Sequence, residues 1–510
     1  MSLFNHTHVA TSLRRTGLLI SFFTITALSA QNLEDVLRYS TDDLNGSARY
    51  QALGGAFGAL GGDLSAITNN PAGSSVFAFN EAGGTLSVQS FTNDSNFFNE
   101  NYEADKSSFA LDQAGFVLIF INPTSNWDKI AFGFNTQRSN NFNKNLYAQG
   151  INDQNGIADY FLPLTQRFNY TAFDLNNSVN NEYSYWGENE GQDAQLAYMA
   201  LYTDLIRYNE EDDFYFVDDY IGNGSDQYHL LNSRGGQQVY TINFSGRYME
   251  KLSLGINLNI HSIDYTQHKE SSDLYLDSNS DNNLKEVDYV QDLTVFGSGI
   301  SVQLGALFKA SEVVRLGLNY TSPTYYEIEE EYTEGLGVRF YDESESAIYP
   351  DVVNLVRPYN LRTPAILQAS MALVFKDAGL LSIDYGKKNY ASAKVDDEFS
   401  NPYNSLNTAI DNNLDTASFL RAGAEGRIGD FSLRAGYWFE QSPFTNTAIH
   451  SDRTGYSLGF GIRFGNGSLD FAYTQQKKDF QQQFYSIGLT DTAAIAQQSG
   501  TVAVSYNVRF

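Results

Sequence analysis

Histidines, cysteines and paired carboxylates are the usual raw material of metal and hydrolytic sites, and this 510-residue chain offers them in no working arrangement. It has no cysteine, which removes disulfides, thiolate metal sites and thiol nucleophiles together. His229, His261, His268 and His450 stand at no metal-ligand spacing; His229 and His450 are expected in loops and His261 facing an interior. Asp277-Ser-Asn-Ser-Asp-Asn-Asn283 sets side-chain oxygens at alternate positions, as a calcium loop does, with Asp288 at the twelfth place. Asn282 stands where a sharp-turning glycine belongs and Asp288 is shorter than the usual glutamate, so a solvated loop is the better reading. No Ser/His/Asp grouping suggests acyl transfer, and no glycine-rich run leads into Lys-Ser/Thr, so phosphate-loop chemistry is not expected either. A formal net charge of −28 would repel nucleic acid. The chain reads as a non-enzyme without a cofactor.

The elements carry more information than the reactive side chains. From Thr501 to Phe510, Val502, Val504, Tyr506, Val508 and Phe510 share one face of a strand, and Ala503, Ser505, Asn507 and Arg509 share the other. Such a strand ending on an aromatic suits an outer-membrane β-barrel, where the edge is paired and the apolar face meets lipid; Tyr506, Val508 and Phe510 are its expected assembly signal. Residues 1–30, with Arg14 and Arg15 ahead of an apolar run from Gly17 to Ala30, read as a secretory signal peptide. No later stretch is long and apolar enough for a membrane helix.

Alternating runs predict strands near 83–92, 114–122, 128–137, 237–249, 251–266, 285–309 and 313–330. Seven more are predicted near 359–375, 378–394, 414–428, 430–442, 453–464, 467–480 and 498–510. That is an antiparallel transmembrane barrel of about 14 strands, an even number as single-chain bacterial barrels have. Tight turns are expected at Pro123–Trp127, Met249–Lys251, Ala310–Glu312, Lys376–Asp377, near Gly429 and at Gly465–Asn466. They alternate with long polar connections near 93–113, 138–236, 267–284, 331–358, 395–413, 443–452 and 481–497. Short turns on one side and long loops on the other are the pattern of an outer-membrane barrel; with both termini in the periplasm, as expected, the long set is extracellular. Gly297-Ser298-Gly299 is read as a bend in a long strand. Arg421 and Arg427 face the lumen by parity, as part of a structural arginine network or as ligand contacts. The clusters Glu210–Asp213 and Glu327–Glu331 read as solvated faces, with divalent cations bridging them to lipopolysaccharide as the alternative.

The 138–236 connection is too long to be a bare loop and should fold on its own. Ala194, Tyr198, Leu201, Leu205 and Tyr208 recur at helical spacing, with Leu196, Met199 and Ile206 on the other sides, so 192–208 is predicted helical. A second apolar segment, Ile157–Phe168, carries Phe161, Leu162, Leu164 and Phe168, with Pro163 kinking or ending any helix. These segments either pack on each other as a loop core or leave a groove in which Phe161, Leu162, Leu164, Phe168, Leu196, Met199, Leu201 and Leu205 hold an apolar ligand.

Before the first strand lies a segment that does not alternate and contains Leu53-Gly-Gly-Ala-Phe-Gly-Ala-Leu-Gly-Gly-Asp-Leu-Ser-Ala-Ile-Thr-Asn-Asn-Pro-Ala-Gly73. So much glycine and alanine permits close backbone packing but cannot build a core of its own, so the segment should pack inside the barrel. With Asn70-Pro71-Ala72 placed after this run, and with Arg38-Tyr39-Ser40, Gly54-Gly55, Arg362-Thr363-Pro364 and Ser382-Ile383-Asp384-Tyr385, the chain resembles the outer membrane protein transport family of the FadL/TodX type. After the signal peptide (1–30) the resemblance implies a hatch (31–80), followed by the barrel (81–510). Asn70, Pro71, Ala72, Gly73, Gly61, Gly62 and Asp63 would form the gating part of the hatch. It further implies passive uptake of hydrophobic compounds such as long-chain fatty acids: landing in an extracellular apolar site, passage to a deeper pocket, and sideways release into the membrane as the hatch moves. Expected partners are outer-membrane lipid, lipopolysaccharide, hydrophobic small molecules and the barrel assembly machinery, with the protein a monomer. The rival readings are a surface adhesion or binding barrel that uses the 138–236 loop, a haemin-receptor-like barrel and a general porin.

Overall fold

A computed structural model of the chain describes residues 33–281, 283–376, 378–397 and 403–510. The expected signal peptide lies outside the described residues, as does Asn282 of the calcium-like run.

Fourteen antiparallel strands form one closed wall. In chain order they are β1 (Glu81–Phe97), β2 (Glu100–Ile121), β3 (Trp127–Asn141), β4 (Ser225–Tyr248), β5 (Leu252–Tyr275) and β6 (Leu284–Lys309). Then come β7 (Val314–Thr321, resumed at Tyr325–Phe340), β8 (Asn354–Arg362, resumed at Ile366–Val374), β9 (Gly379–Asn389) and β10 (Thr416–Ile428). The last four are β11 (Phe431–Glu440), β12 (Arg453–Phe464), β13 (Gly467–Gln483) and β14 (Thr492–Arg509). The final strand closes the barrel on the first, from Glu81 opposite Arg509 to Asn96 opposite Ala494. Tyr506 therefore lies opposite Gly84 and Val508 opposite Ala82. The Phe510 amide donates to Asn80 O at 3.1 Å while its ring stays exposed.

The period-2 pattern does what it predicted. On β5, Leu254, Ile256, Leu258 and Ile260 are exposed on the outside, while Ser253, Asn257 and Asn259 are buried inside. Phe431, Leu433 and Tyr437 on β11, and Tyr456, Leu458 and Phe460 on β12, continue the outer belt. A continuous apolar exterior around a polar interior is the inverse of a soluble fold, and lipid is the solvent that makes it stable.

Several strands run further than the alternation indicated. The expected long connection at 93–113 is instead a tall β1–β2 hairpin, closed by Phe98 and Asn99 with φ of 48° and 67°. Paired positive φ values give a primed turn that matches strand twist. Likewise β4 begins at Ser225, so His229 sits on a strand rather than in a loop, its ring stacked 4.0 Å from that of Phe484. Above the hydrocarbon level the outer face need not be apolar, so these extensions lose the signal that marks the membrane-spanning part. Ser322-Pro323-Thr324 interrupts β7 directly beside Thr363-Pro364-Ala365 in β8, because proline has no N–H for the ladder.

The long 138–236 insertion folds into a cap. After β3 it supplies a strand, Lys144–Asn152, then three helices that we label by their ranges: Ala158–Thr165, Val179–Glu190 and Gln192–Tyr202. The predicted 192–208 helix stops at Tyr202, and Pro163 stays inside the first helix. Gly191, at φ 87°, ends one helix and starts the next, a conformation that costs glycine little. Phe161, Leu164, Leu196, Met199, Leu201 and Leu205 are all buried in one cluster, with Leu162 and Phe168 half-buried against it. The cluster continues into the wall at Tyr275, Tyr289, Leu336 and Ile495, so the cap is bonded to the barrel mouth. Glu334 of β7 pins it, accepting from Tyr289 Oη (2.6 Å), Gln192 Nε2 (2.7 Å), Gln291 Nε2 (2.9 Å) and Tyr183 Oη (3.2 Å). Leu196→Ala is expected to cost the cap about 2–5 kcal/mol. Limited proteolysis should then cut within 158–216 while the barrel keeps its heat-resistant gel mobility.

Candidate functional site

Residues 33–77 lie in the lumen and touch the wall on all sides. Helices α1 (Leu33–Ser40), α2 (Ala48–Ala52) and α3 (Ala66–Asn69) are followed by a tight 3-10 turn, Pro71–Val76. Ala48 N donates to Ser505 Oγ (2.6 Å), Ser457 Oγ donates to Ala52 O (3.0 Å), and Gly58 N donates to Asp384 (2.9 Å). These bonds reach β14, β12 and β9.

Asn-Pro-Ala is the best-anchored part. Asn70 Oδ1 caps the 3-10 turn by accepting from Ala72 N (3.1 Å), while its Nδ2 donates to Gly58 O (2.7 Å) and Ala306 O (3.2 Å). Pro71 O accepts from Asn243 of β4 at 2.9 Å, and Ala72 is fully buried. Gly61 and Gly62, at φ 64° and 66°, fold back on Gly73, whose carbonyl accepts from Gly62 N at 3.2 Å. Asp63 accepts from Ser47 Oγ (2.7 Å) and Ser65 N (2.9 Å). Burial pushes its carboxyl up against the pull of nearby Arg49. The structure thus brings all seven expected hatch residues into one packed unit. Arg421 serves that unit too, donating to Tyr50 Oη at 3.0 Å, and Arg427 donates to Glu425 at 2.7 Å.

Above this anchor, α1 forms one side of a cavity of about 220 Å³. Leu37, Phe142, Leu146, Tyr265, Phe444 and Phe480 give it an apolar lining. Two of its cations are already neutralised: Arg453 is paired with Asp43 (3.1 Å) and with Glu440, and Arg38 with Asp35. Lys144 and Lys478 differ. Neither has a hydrogen-bond or ion-pair partner among the described residues; their ammonium groups rest 5.4 Å over Phe91 and 5.2 Å over Phe480. Glu34 also lines the cavity, and burial pushes its carboxyl up, which weakens it as a counter-ion. Two lysines without partners in a partly apolar chamber are costly to keep charged when it is empty and complementary to an anionic head on an apolar tail.

The cavity lies directly inside a seam in the wall. The β2–β3 ladder runs only from Gln113 opposite Gln137 to Ile121 opposite Lys129. Beyond it β2 continues to Glu100, whereas the chain after β3 bends inward and Lys144–Asn152 pairs with β4 alone. Asn145 and Tyr147 offer their carbonyls to Asn93 and Ser95 side chains of β1, which places this strand on the luminal side of the tall hairpin. Among the described residues every hydrogen bond across the seam involves a side chain, and no backbone-to-backbone pairing crosses it. Arg138 pairs with buried Asp112 at 2.7 Å, and Asn141 Nδ2 donates to Gln89 (2.8 Å) and Ser108 Oγ (3.0 Å). Phe142, edge-on to Tyr265 at 5.5 Å, wedges the inner side. Leu86, Val88, Phe109 and Leu111 are exposed on the outer surface of the adjoining hairpin.

Neither the lysine pair nor the seam was marked in the sequence by a motif. A clue existed in Asn140-Asn141-Phe142-Asn143, a polar break after a clean strand that could have suggested departure from the wall. His261 faces the lumen as expected, its Nε2 2.9 Å from Ser301 Oγ, and His450 lies in the loop before β12. In the calcium-like run, Asn283 Oδ1 accepts from the amides of Asn279 and Ser280 at 2.9 Å each, capping its own loop.

No family model matches the chain, and no curated protein does. Solved structures do. A Pseudomonas aeruginosa FadL homologue aligns over 92% of this chain and 100% of its own, with a TM-score of 0.55 and 15% identity. The P. putida toluene transporter TodX aligns over 92% and 99%, with a TM-score of 0.52 and 15% identity. The Ralstonia pickettii toluene transporter TbuX aligns over 92% and 99%, with a TM-score of 0.50 and 15% identity. Closed by 14 strands and filled by its own N-terminal segment, the chain has the barrel fold of the FadL and TodX proteins.

Proposed function

We propose that the protein is an outer-membrane transporter that admits amphipathic hydrophobic molecules, long-chain fatty acids foremost, and releases them sideways into the membrane. The observation that carries this reading is the partly apolar cavity with two unpaired lysines, set between the luminal segment and a seam that no backbone-to-backbone pairing crosses. A fatty acid gains about 0.8 kcal/mol per methylene by staying out of water. A route from an apolar chamber through a wall seam into lipid keeps that gain throughout, whereas a water-filled pore would forfeit it. The barrels that share the fold, a FadL homologue and toluene transporters, support a hydrophobic cargo. In this reading residues 33–80 are the hatch, both termini are periplasmic, and lipopolysaccharide surrounds the cap. The cap residues Phe161, Leu162, Leu164, Phe168, Leu196, Met199, Leu201 and Leu205 contribute a landing site when the cap loosens.

Uptake of labelled oleate by a deletion strain tests the reading. The native gene should restore uptake, and Asn70→Ala or Pro71→Gly should leave an assembled barrel that transports poorly. Unchanged uptake in both variants would sink the hatch mechanism. The seam has its own test, which the absence of cysteine makes clean. A Ser108→Cys/Asn141→Cys pair joined by a reversible thiol crosslinker should stop uptake, and reductant should restore it. Transport that continues through the locked seam would exclude sideways release.

A further inference from the structure

At the end of the barrel where Glu81 and Arg509 lie, below Gly61–Asp63 of the luminal segment, a separate cavity of about 370 Å³ opens. Six arginines line it: Arg49, Arg315, Arg427, Arg434, Arg463 and Arg509. In a chain of net charge −28 this is a local reversal of sign. Its carboxylates are already engaged. Glu425 takes Arg49 (3.0 Å), Arg434 (2.7 Å) and Arg427 (2.7 Å), and Asp470 takes Arg434 at 2.6 Å. Glu81 takes Arg509 at 3.2 Å, and Asp63 is held by the two serine donors described above. Arg315 and Arg463 are left without a carboxylate among the described residues. Each has one backbone acceptor, Leu60 O at 3.0 Å for Arg315 and Gly429 O at 3.4 Å for Arg463. The charged groups that act on Arg315 are Arg427, a second cation, and Glu312, which makes no ion pair with it.

We propose that this vestibule binds a phosphate group, either the free ion or the phosphodiester of a lipid headgroup. Guanidinium forks match phosphate oxygens in pairs, and a tetrahedral oxyanion presents oxygens in several directions at once. That suits arginines projecting from separate strands, β7, β10 and β12, better than a planar carboxylate would. The excess of two cations over the four lining carboxylates concentrates an anion here that the rest of the molecule repels. This inference does not depend on the cargo of the upper cavity.

The test uses the full-length protein in detergent. Inorganic phosphate is titrated by calorimetry, and phosphatidylglycerol is compared with diacylglycerol, which has no phosphate, for retention through detergent exchange. The native protein should bind at least one of the two phosphate ligands, and Arg315→Gln/Arg463→Gln should weaken binding at least tenfold. Arg167→Gln in the cap should change nothing. Phosphate alone bound identifies a soluble ligand, and phosphatidylglycerol alone identifies a headgroup. Should the double variant not fold, as judged by heat-modifiable gel mobility, each single variant should still weaken binding severalfold. Binding of neither ligand, or equal binding by the folded variants and the native protein, overturns the proposal.

Discussion

Replacing Lys144 and Lys478 together by glutamine is expected to weaken capture of oleate by roughly 100-fold while changing capture of oleyl alcohol by less than about threefold. A charge-assisted hydrogen bond is worth about 1.5–3 kcal/mol, or roughly 10- to 100-fold for each lysine that meets the carboxylate. The two act on one head group, so their effects should overlap rather than add fully. An alcohol of equal length has the same tail and none of the charge, so it isolates the apolar lining from the ammonium pair. Both side chains already lack hydrogen-bond and ion-pair partners, so the substitution breaks no ion pair. The folded barrel should therefore be as stable as before or more so. Equilibrium binding of the two radiolabelled ligands decides the matter. Equal loss for acid and alcohol would mean that the substitution merely damaged the cavity. No loss for either would place the head group elsewhere.

The second large effect is expected from the wall glycines that receive the Asn-Pro-Ala turn. A Cβ on Gly255 would lie 2.4 Å from the Pro71 carbonyl carbon, and one on Gly305 would lie 2.1 Å from Asn70 Oδ1. The obstacle at Gly255 is backbone, which cannot swing aside, and at Gly305 it is the side chain that caps the turn. Overpacking of this kind costs about 1–3 kcal/mol per site. The strain falls on the Asn-Pro-Ala anchor and spares the strand ladders, so Gly255→Ala/Gly305→Ala should assemble yet free its luminal segment. Planar-bilayer recordings should change from closed native protein to a conducting pore, and protease should reach the 33–80 segment. Gly426→Ala is the control, because a Cβ there meets nothing within 4 Å. A silent double variant would show that the turn can shift within the lumen without opening it.

These expectations draw unequally on what could be read in advance. The strands near 453–464 and 251–266 were legible because side chains facing lipid and lumen must differ at every second residue, and that requirement is local. The tight turns at Met249–Lys251 and Gly465–Asn466 were legible for the same reason, since the pattern ends where the membrane does. Asn70, Pro71 and Ala72 were recognisable as a motif, but their anchoring at Gly255 and Gly305 was not, because those glycines lie nearly two hundred residues or more along the chain. The apolar segments of the cap stood out in the sequence as side chains that need partners, either each other or a ligand. Whether they would face one another or a ligand depended on the wall residues Tyr289 and Leu336, which complete their core.

By itself, then, the sequence determined an antiparallel barrel of about 14 strands, its short-turn and long-loop ends, and a glycine-rich segment with too few large side chains to stand alone. Those properties follow from periodicity and composition, which each stretch of chain carries within itself. Only the tertiary structure decided where the wall fails to pair, that Lys144 and Lys478 meet in one cavity without partners among the described residues, and that six arginines gather below the luminal segment. Pairing, burial and charge balance are relations between distant residues, and only closure of the barrel around its own N-terminal segment brings those residues together.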